Sequence, residues 1–403
     1  MFPGRFLHRG QGDECGILFD IFGVILLRVV FTCGGTGGHI NPAIAVAKLI
    51  RTKRPEAEIL FAGADGGMEV GLVTREGFRI KTVPVSNFRR SFKPADIINN
   101  IKVLFGIRNS IKKAREILLD FEPDVVIGTG GYASFPTVYA ASKLGIPTAI
   151  HESNAIPGLT TSLLSKRADR IMVGFDSADR YKNPERVVLT GTPVREDFIF
   201  INRSDAKKRL GLEDKPLIVS TWGSLGAREM NKKIAEFIAL ETKSDQYYHI
   251  HATGRYGWRW MPDYVKNLGV DLSEHPNIDM REYIYDMPVV MAAADLVLCR
   301  GGASTLSEII ASATPAIIVP SPNVAENHQE MNARAIERHG GAIVLLEKEC
   351  TGEKLYEMAT EMLQDESLLE SISSSLREIA VLDSAERIYS VICSLYKDKK
   401  KKT

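Results

Sequence analysis

Val29-Val30-Phe31-Thr32-Cys33-Gly34-Gly35-Thr36-Gly37-Gly38-His39-Ile40-Asn41-Pro42 runs from an apolar segment, through four glycines, into a helix signal. A short apolar run with no polar alternation fits a strand buried on both faces, as in a parallel sheet. Glycine has no Cβ, so its backbone N–H can come close to a phosphate, and the following helix adds exposed N–H donors and the positive end of its dipole. Asn41 as N-cap and Pro42 at the first helical position predict a helix over 42–50. His39 then stands just before the cap, where a neutral imidazole can accept a proton from an attacking hydroxyl or merely bond the turn. A second unit of the same kind, Gly128-Thr129-Gly130-Gly131-Tyr132, follows the apolar segment 125–128. Two such loops point to phosphorylated ligands.

The alternation continues outward from these loops. Strand-like runs occur at 29–33, 58–62, 80–85, 125–128, 148–151, 170–173 and 187–190. After Gly191-Thr192-Pro193 they resume at 217–221, 248–252, 278–281, 296–299, 316–320 and 343–346, with helix-like segments between. This pattern predicts an α/β protein of two doubly wound, Rossmann-like parallel-sheet domains facing an interdomain cleft. Their expected bounds are 29–190 and 191–385. A helix over 386–397 is expected to pack back across the junction, and the basic tail 398–403 to be solvated. Residues 1–28 read as an N-terminal extension from a misassigned start. Their apolar run, 21–27, is well short of the ~20 residues of a membrane span, and Asp13 and Glu14 do not suit a signal peptide.

Composition narrows the function classes. The 403 residues are 44% hydrophobic and 25% charged with a net charge of +1, which suits globular domains and gives no field that would draw nucleic acid. Five cysteines without a CxxC pair oppose a disulfide framework and favour a reducing compartment. No Asp-x-Asp occurs, so neither metal nor cofactor is expected. A departing diphosphate must then be met by N–H groups, helix dipoles and Arg or Lys.

Several further segments carry polar groups to expected strand ends. His151-Glu152-Ser153-Asn154 leads into Pro157-Gly158-Leu159, and Arg195, after Gly191-Thr192-Pro193-Val194, can clamp a phosphate or pair with Glu196 or Asp197. Trp222-Gly223-Ser224-Leu225-Gly226-Ala227-Arg228 offers a hydroxyl in a small-residue loop. In Arg300-Gly301-Gly302-Ala303-Ser304-Thr305-Leu306-Ser307-Glu308, Thr305 and Glu308 fit a capping box, and the same carboxylate can accept ribose hydroxyls. Gln329 and Asn332 share a helical face and can bond sugar hydroxyls. Phe88, Phe92, Ile97, Ile101, Leu104 and Phe105 lie among Arg89, Arg90, Lys93 and Lys102, a mixture suited to an anionic membrane surface. Gly128-x-Gly130-x-x-Ala133 with Glu152 also satisfies a relaxed dinucleotide fingerprint, which keeps an NAD(P)-dependent oxidoreductase open.

In order and content these motifs strongly resemble the MurG family, from Val29 to the C-terminal helix. The resemblance implies a GT-B fold and an inverting, metal-independent transfer of N-acetylglucosamine from UDP-GlcNAc to lipid I, giving lipid II of peptidoglycan at the cytoplasmic face of the bacterial inner membrane. It assigns the donor to Thr36, Gly37, Gly38, Asn154, Arg195, Ser224, Ile284, Gly302, Ala303, Ser304, Thr305, Leu306, Glu308, Gln329 and Asn332. Among these, Ile284 meets the uracil, Glu308 the ribose, and Gln329 with Asn332 the sugar. It assigns the acceptor to Gly35, Gly130, Gly131 and Tyr132, and makes His39 the base or orienting group with Glu152 as competitor. Thr192, Trp222 and Gly301 depart from the usual pattern, which has Asn, Gly and Ala there. A glycolipid acceptor other than lipid I, or a silent sugar-nucleotide-binding subunit, are the other readings.

Overall fold

The computed structural model describes residues 26–85, 94–212 and 215–401, the side chains of 94–105 and 325 excepted. The first domain contains strands β1 (Arg28–Thr32), β2 (Glu58–Ala64), β3 (Arg79–Val83), β4 (Val125–Gly128), β5 (Thr148–Glu152), β6 (Arg170–Val173) and β7 (Val187–Leu189). They form one parallel sheet in the order β3-β2-β1-β4-β5-β6-β7. The second domain contains β8 (Leu217–Thr221), β9 (Tyr248–Ala252), β10 (Ile278–Arg281), β11 (Leu296–Cys299), β12 (Ala316–Ile318) and β13 (Ile343–Val344), ordered β10-β9-β8-β11-β12-β13. Each run expected from the sequence is a strand, and the expected doubly wound α/β class holds.

Period-two burial builds the layers. Val29 and Phe31 point into one core with Ile40, Ile44 and Ala47 of the helix Gly37–Lys53, whereas Val30 points into the other with Ala114, Leu118 and Val138. Both faces are apolar because both are covered. In the second domain a single large core gathers Val219, Phe237, Leu298, Leu306 and Ile317 around the sheet.

The order of strands reverses direction twice, between β1 and β4 and between β8 and β11. In such sheets the crevice that takes ligands lies outside the carboxyl ends of the strands at that reversal. The loops leaving β1, β4, β8 and β11 are the four glycine-rich segments quoted above, so the topology places all of them at the two crevices.

The last helix, Ser384–Lys400, packs on the first domain although it follows the second in sequence. Ile388 and Ile392 enter the core beneath Phe31 and Phe61, and Lys53 pairs with Glu386 at 3.1 Å. The lysine tail is a correction to the sequence reading. Lys399 is helical and holds Asp124 at 3.0 Å and the Pro123 carbonyl at 3.2 Å, because the helix runs on far enough to bring its ammonium to the loop before β4. Ile392→Ala is expected to destabilise the first domain by ~2–5 kcal/mol. Denaturant unfolding followed with probes in each domain checks this, the transition of the first domain moving.

Candidate active site between the two sheets

The helix after β1 begins earlier than the sequence suggested. Thr36, extended at φ −146° and ψ 155°, is the N-cap, and the Thr36 carbonyl accepts from His39 N at 3.1 Å and Ile40 N at 3.3 Å. Gly37, Gly38 and His39 therefore form the first turn. Pro42 lies inside the helix, and Asn41 is no cap. Pro42 is tolerated because its missing N–H removes only one bond near the helix end. The first N–H groups of a helix have no acceptor within it, so the turn presents donors to the crevice.

His39 is fixed by its own loop. Nδ1 lies 3.1 Å from the Gly34 carbonyl and 3.3 Å from Thr36 Oγ1. A carbonyl can only accept, so Nδ1 carries the proton and Nε2 is left with a lone pair. Burial holds the imidazole below its ordinary pKa, opposed by the Glu152 charge and the Gly34 bond. The ring is a neutral base facing the second glycine run: a Cβ on Gly130, whose φ is +106°, would lie 2.6 Å from His39 Cδ2 and 3.0 Å from Nε2. Thr129 Oγ1 donates to the His39 carbonyl at 2.6 Å, tying the two runs together. Tyr132 covers Gly35, its Cε1 3.2 Å from where a Cβ would be.

Across the cleft, Gly302 is the N-cap of the helix Ala303–Ser312, so Ala303, Ser304 and Thr305 supply its free first-turn N–H groups, and Leu306 is buried beneath them. This removes the capping-box reading: Thr305 is the third helical residue and Glu308 the sixth. Burial raises the Glu308 carboxyl to about 7, while Arg195 pulls it down. Arg195 itself is exposed, its guanidinium 5.3 Å from the Phe198 ring centroid. The two helix starts nearly touch, since a Cβ on Gly38 would stand 2.9 Å from Ser304 Oγ. Ser224 is exposed in a turn held by Gly226 N donating to the Gly223 carbonyl at 2.9 Å. Ile284 is 2% exposed, so its side chain belongs to the core and only its backbone can face a base.

The remaining residues engage one another. Glu152 Oε1 accepts from Asn154 N at 3.1 Å and Nδ2 at 2.8 Å, and Oε2 accepts from Gly158 N at 3.0 Å. Asn332, 1% exposed, donates to Asn154 Oδ1 and the Gly301 carbonyl, both at 3.1 Å, and accepts from Ala155 N at 2.8 Å. Gln329 Oε1 accepts from Ser321 N at 2.9 Å. Sequence reading missed Glu69, fully buried, which accepts from Ala64 N at 2.7 Å and Gly35 N at 3.4 Å and so props the first glycine loop. Its only signal was an acidic residue in the first turn of a helix after Gly66-Gly67. Phe88 and Phe92 lie outside the described residues. Ile97, Ile101, Leu104 and Phe105 belong to the helix Pro94–Phe121, in the part whose side chains are not described.

Comparison with known proteins decides what this arrangement is. Residues 29–173 match the glycosyltransferase family 28 N-terminal domain and residues 217–388 its C-terminal domain. A protein of Acetivibrio thermocellus named UDP-N-acetylglucosamine–N-acetylmuramyl-(pentapeptide) pyrophosphoryl-undecaprenol N-acetylglucosamine transferase is 42% identical over 375 residues, 93% of this chain and 99% of its own. A Listeria monocytogenes protein of the same name is 37% identical, covering 92% of this chain and 100% of its own. The crystal structure of Acinetobacter baumannii MurG superposes with a TM-score of 0.72 at 27% identity, over 91% of this chain and 99% of that one. The chain belongs to the MurG family.

Membership sets aside the oxidoreductase reading of the Gly128 loop, and the geometry agrees, since both Glu152 oxygens are held by the loop that follows. It also puts Trp222 in context. The indole is 4% exposed and packs into the second core, leaving the Ser224 turn clear. Gly130→Ala is expected to displace the His39 ring and to lower turnover by ~10²-fold or more, the scale of proton-transfer groups in general, while donor affinity changes less than about twofold. Steady-state kinetics with calorimetric donor binding checks the split.

Proposed function

We propose that this enzyme transfers N-acetylglucosamine from UDP-GlcNAc to the muramyl 4-hydroxyl of lipid I with inversion, forming lipid II. The observation that carries the reading is the meeting of the Thr36–Gly38 and Gly302–Thr305 helix starts across a cleft with a neutral histidine beside them. His39 Nε2 takes the proton of the 4-hydroxyl as that oxygen attacks C1 of the donor sugar from the face opposite the diphosphate. The C1–O bond to UDP breaks, and its electron pair passes to the diphosphate, where the N–H groups of Ala303, Ser304 and Thr305 and the helix dipole receive the charge. By the family assignment Ser224 and Arg195 are suited to add side-chain contacts to the diphosphate, and Glu308 to accept the ribose hydroxyls. The imidazolium formed is stabilised by its Nδ1–H bond to Gly34 and by the Glu152 charge.

We place the enzyme as a peripheral protein on the cytoplasmic face of the bacterial membrane, where a lipid-linked acceptor is presented. Among the described residues no helix is long and apolar enough to cross a membrane. A groove lined by Phe135, Tyr139, Leu163, Lys166 and Arg167 opens beside the helix that follows Gly130–Tyr132. The rings of Phe135 and Tyr139 stack at 5.6 Å, Arg167 lies 5.1 Å from Tyr139, and Leu159 and Leu163 are exposed. Apolar surface edged with cations suits an anionic bilayer.

The transfer reading is tested by UDP release, expected only when a lipid I analogue is present; release that is indifferent to the acceptor, or absent altogether, contradicts it. His39→Ala should lower turnover ~10²–10⁴-fold with donor affinity nearly unchanged. Because the base must be unprotonated and burial depresses its pKa, wild-type turnover should hold as pH falls through ~6.5, the ordinary imidazole value, and decline only below it. A pH–rate profile for wild type and variant checks both. Leu159→Ser with Leu163→Ser should reduce sedimentation with anionic vesicles, leaving transfer to a water-soluble acceptor intact.

A further inference from the structure

Glu152 is the residue whose contacts the mechanism above leaves unexplained. It stands at the end of β5, 5% exposed, and its carboxylate accepts three hydrogen bonds from the chain that follows. One of them decides an orientation. Asn154 Nδ2 donates to Glu152 Oε1, so the Asn154 carbonyl oxygen must point the other way, and there it accepts from Asn332 of the second domain. Flipping Asn154 would set its oxygen against the carboxylate, so Glu152 fixes which partner Asn154 can hold. Asn332 has both amide hydrogens engaged, on Asn154 and on Gly301, and its oxygen on Ala155 N. Breaking any one of these bonds leaves a buried donor or acceptor unpaired, which opposes opening of the contact.

Two further contacts share this geometry. Gly158 of the first domain lies against His328 of the second, a Cβ added at 158 falling 3.7 Å from His328 Cε1, and Gly38 faces Ser304. The Gln329 carbonyl comes so close to Gly301 that any side chain at 301 would overlap it, which is what brings the helix His328–Glu337 near enough for Asn332 to reach Gly301 and Asn154 together.

We propose that Glu152, Asn154 and Asn332 are positioning residues that form a polar latch between the domains, holding the cleft closed so that His39 and the Ala303–Thr305 helix start face the same sugar. The proposal rests on the transfer reading for its catalytic consequence and on geometry alone for closure. Closure brings the base and the leaving-group site into register and expels water that would otherwise compete as acceptor. It gives Glu152 a role through Asn154 rather than on the acceptor, and it gives Asn332 a role between the domains besides any contact with the sugar.

The test compares the full chain with Asn154→Ala, Asn332→Ala and the isosteric Asn332→Asp, which keeps the acceptor for Ala155 N and loses both donations without opening a cavity. Small-angle X-ray scattering of the unliganded proteins should show a larger maximum dimension for each variant. Turnover should fall at least tenfold, and affinity for UDP should change by the same factor as affinity for UDP-GlcNAc. Asn154→Ala with Asn332→Ala should be no worse than Asn332→Ala alone, since that variant already breaks the Asn154 link together with the one to Ala155 N. Unchanged dimensions, a loss of affinity confined to UDP-GlcNAc, or additive effects of the pair would overturn the latch and leave Asn332 a sugar ligand only. Scattering and UDP binding decide this even if the wild type transfers nothing to lipid I, so failure of the transfer reading is read separately.

Discussion

Two helix N-termini held tip to tip across a cleft are the constraint on which the rest of the molecule depends. Each follows a strand at a reversal of sheet order, each has a glycine at its start, Gly37 in one and the N-cap Gly302 in the other, and they come so near that a Cβ on Gly38 would lie 2.9 Å from Ser304 Oγ. Unsatisfied N–H groups and two dipole ends of like sign would repel one another if nothing lay between them. An anionic ligand resolves that repulsion, and a diphosphate has both the charge and the acceptor atoms. The glycines, the neutral histidine and the polar contacts between domains follow from the need to bring these ends close without filling the space.

Most of this was legible in the sequence because the signals were local. Thirteen apolar runs became thirteen strands, since a strand covered on both faces must be apolar at almost every position, and the glycine loops mark the strand ends at the reversals. Helix starts were less legible. Gly37 and Gly38 read as loop by propensity, yet an extended Thr36 turns the chain directly into a helix, and Gly302 rather than Thr305 caps the helix after β11. In both cases the helix began where the backbone changed direction, which residue preference alone does not record.

What the sequence withheld was pairing at a distance. Glu152, read as a candidate base, has its oxygens on Asn154 and Gly158, and Asn332, read as a sugar ligand, reaches across the chain to Asn154. Glu69 is buried under a glycine loop with no motif to announce it. Trp222 opens the Ser224 turn, but the positive φ of Gly223, +86°, carries the chain away while the indole stays in the core. These residues act through partners far away in the chain, and no local pattern encodes such partners.

The central claim is that main-chain amides at facing helix starts hold the diphosphate. A crystal structure of the complex with UDP-GlcNAc tests it most directly. The account requires diphosphate oxygens within hydrogen-bonding distance, ~2.7–3.2 Å, of N–H groups among Ala303, Ser304 and Thr305, with His39 Nε2 open to the sugar's C1 side. A nucleotide seated away from both helix starts, or a diphosphate held only by side chains or a cation, would contradict it.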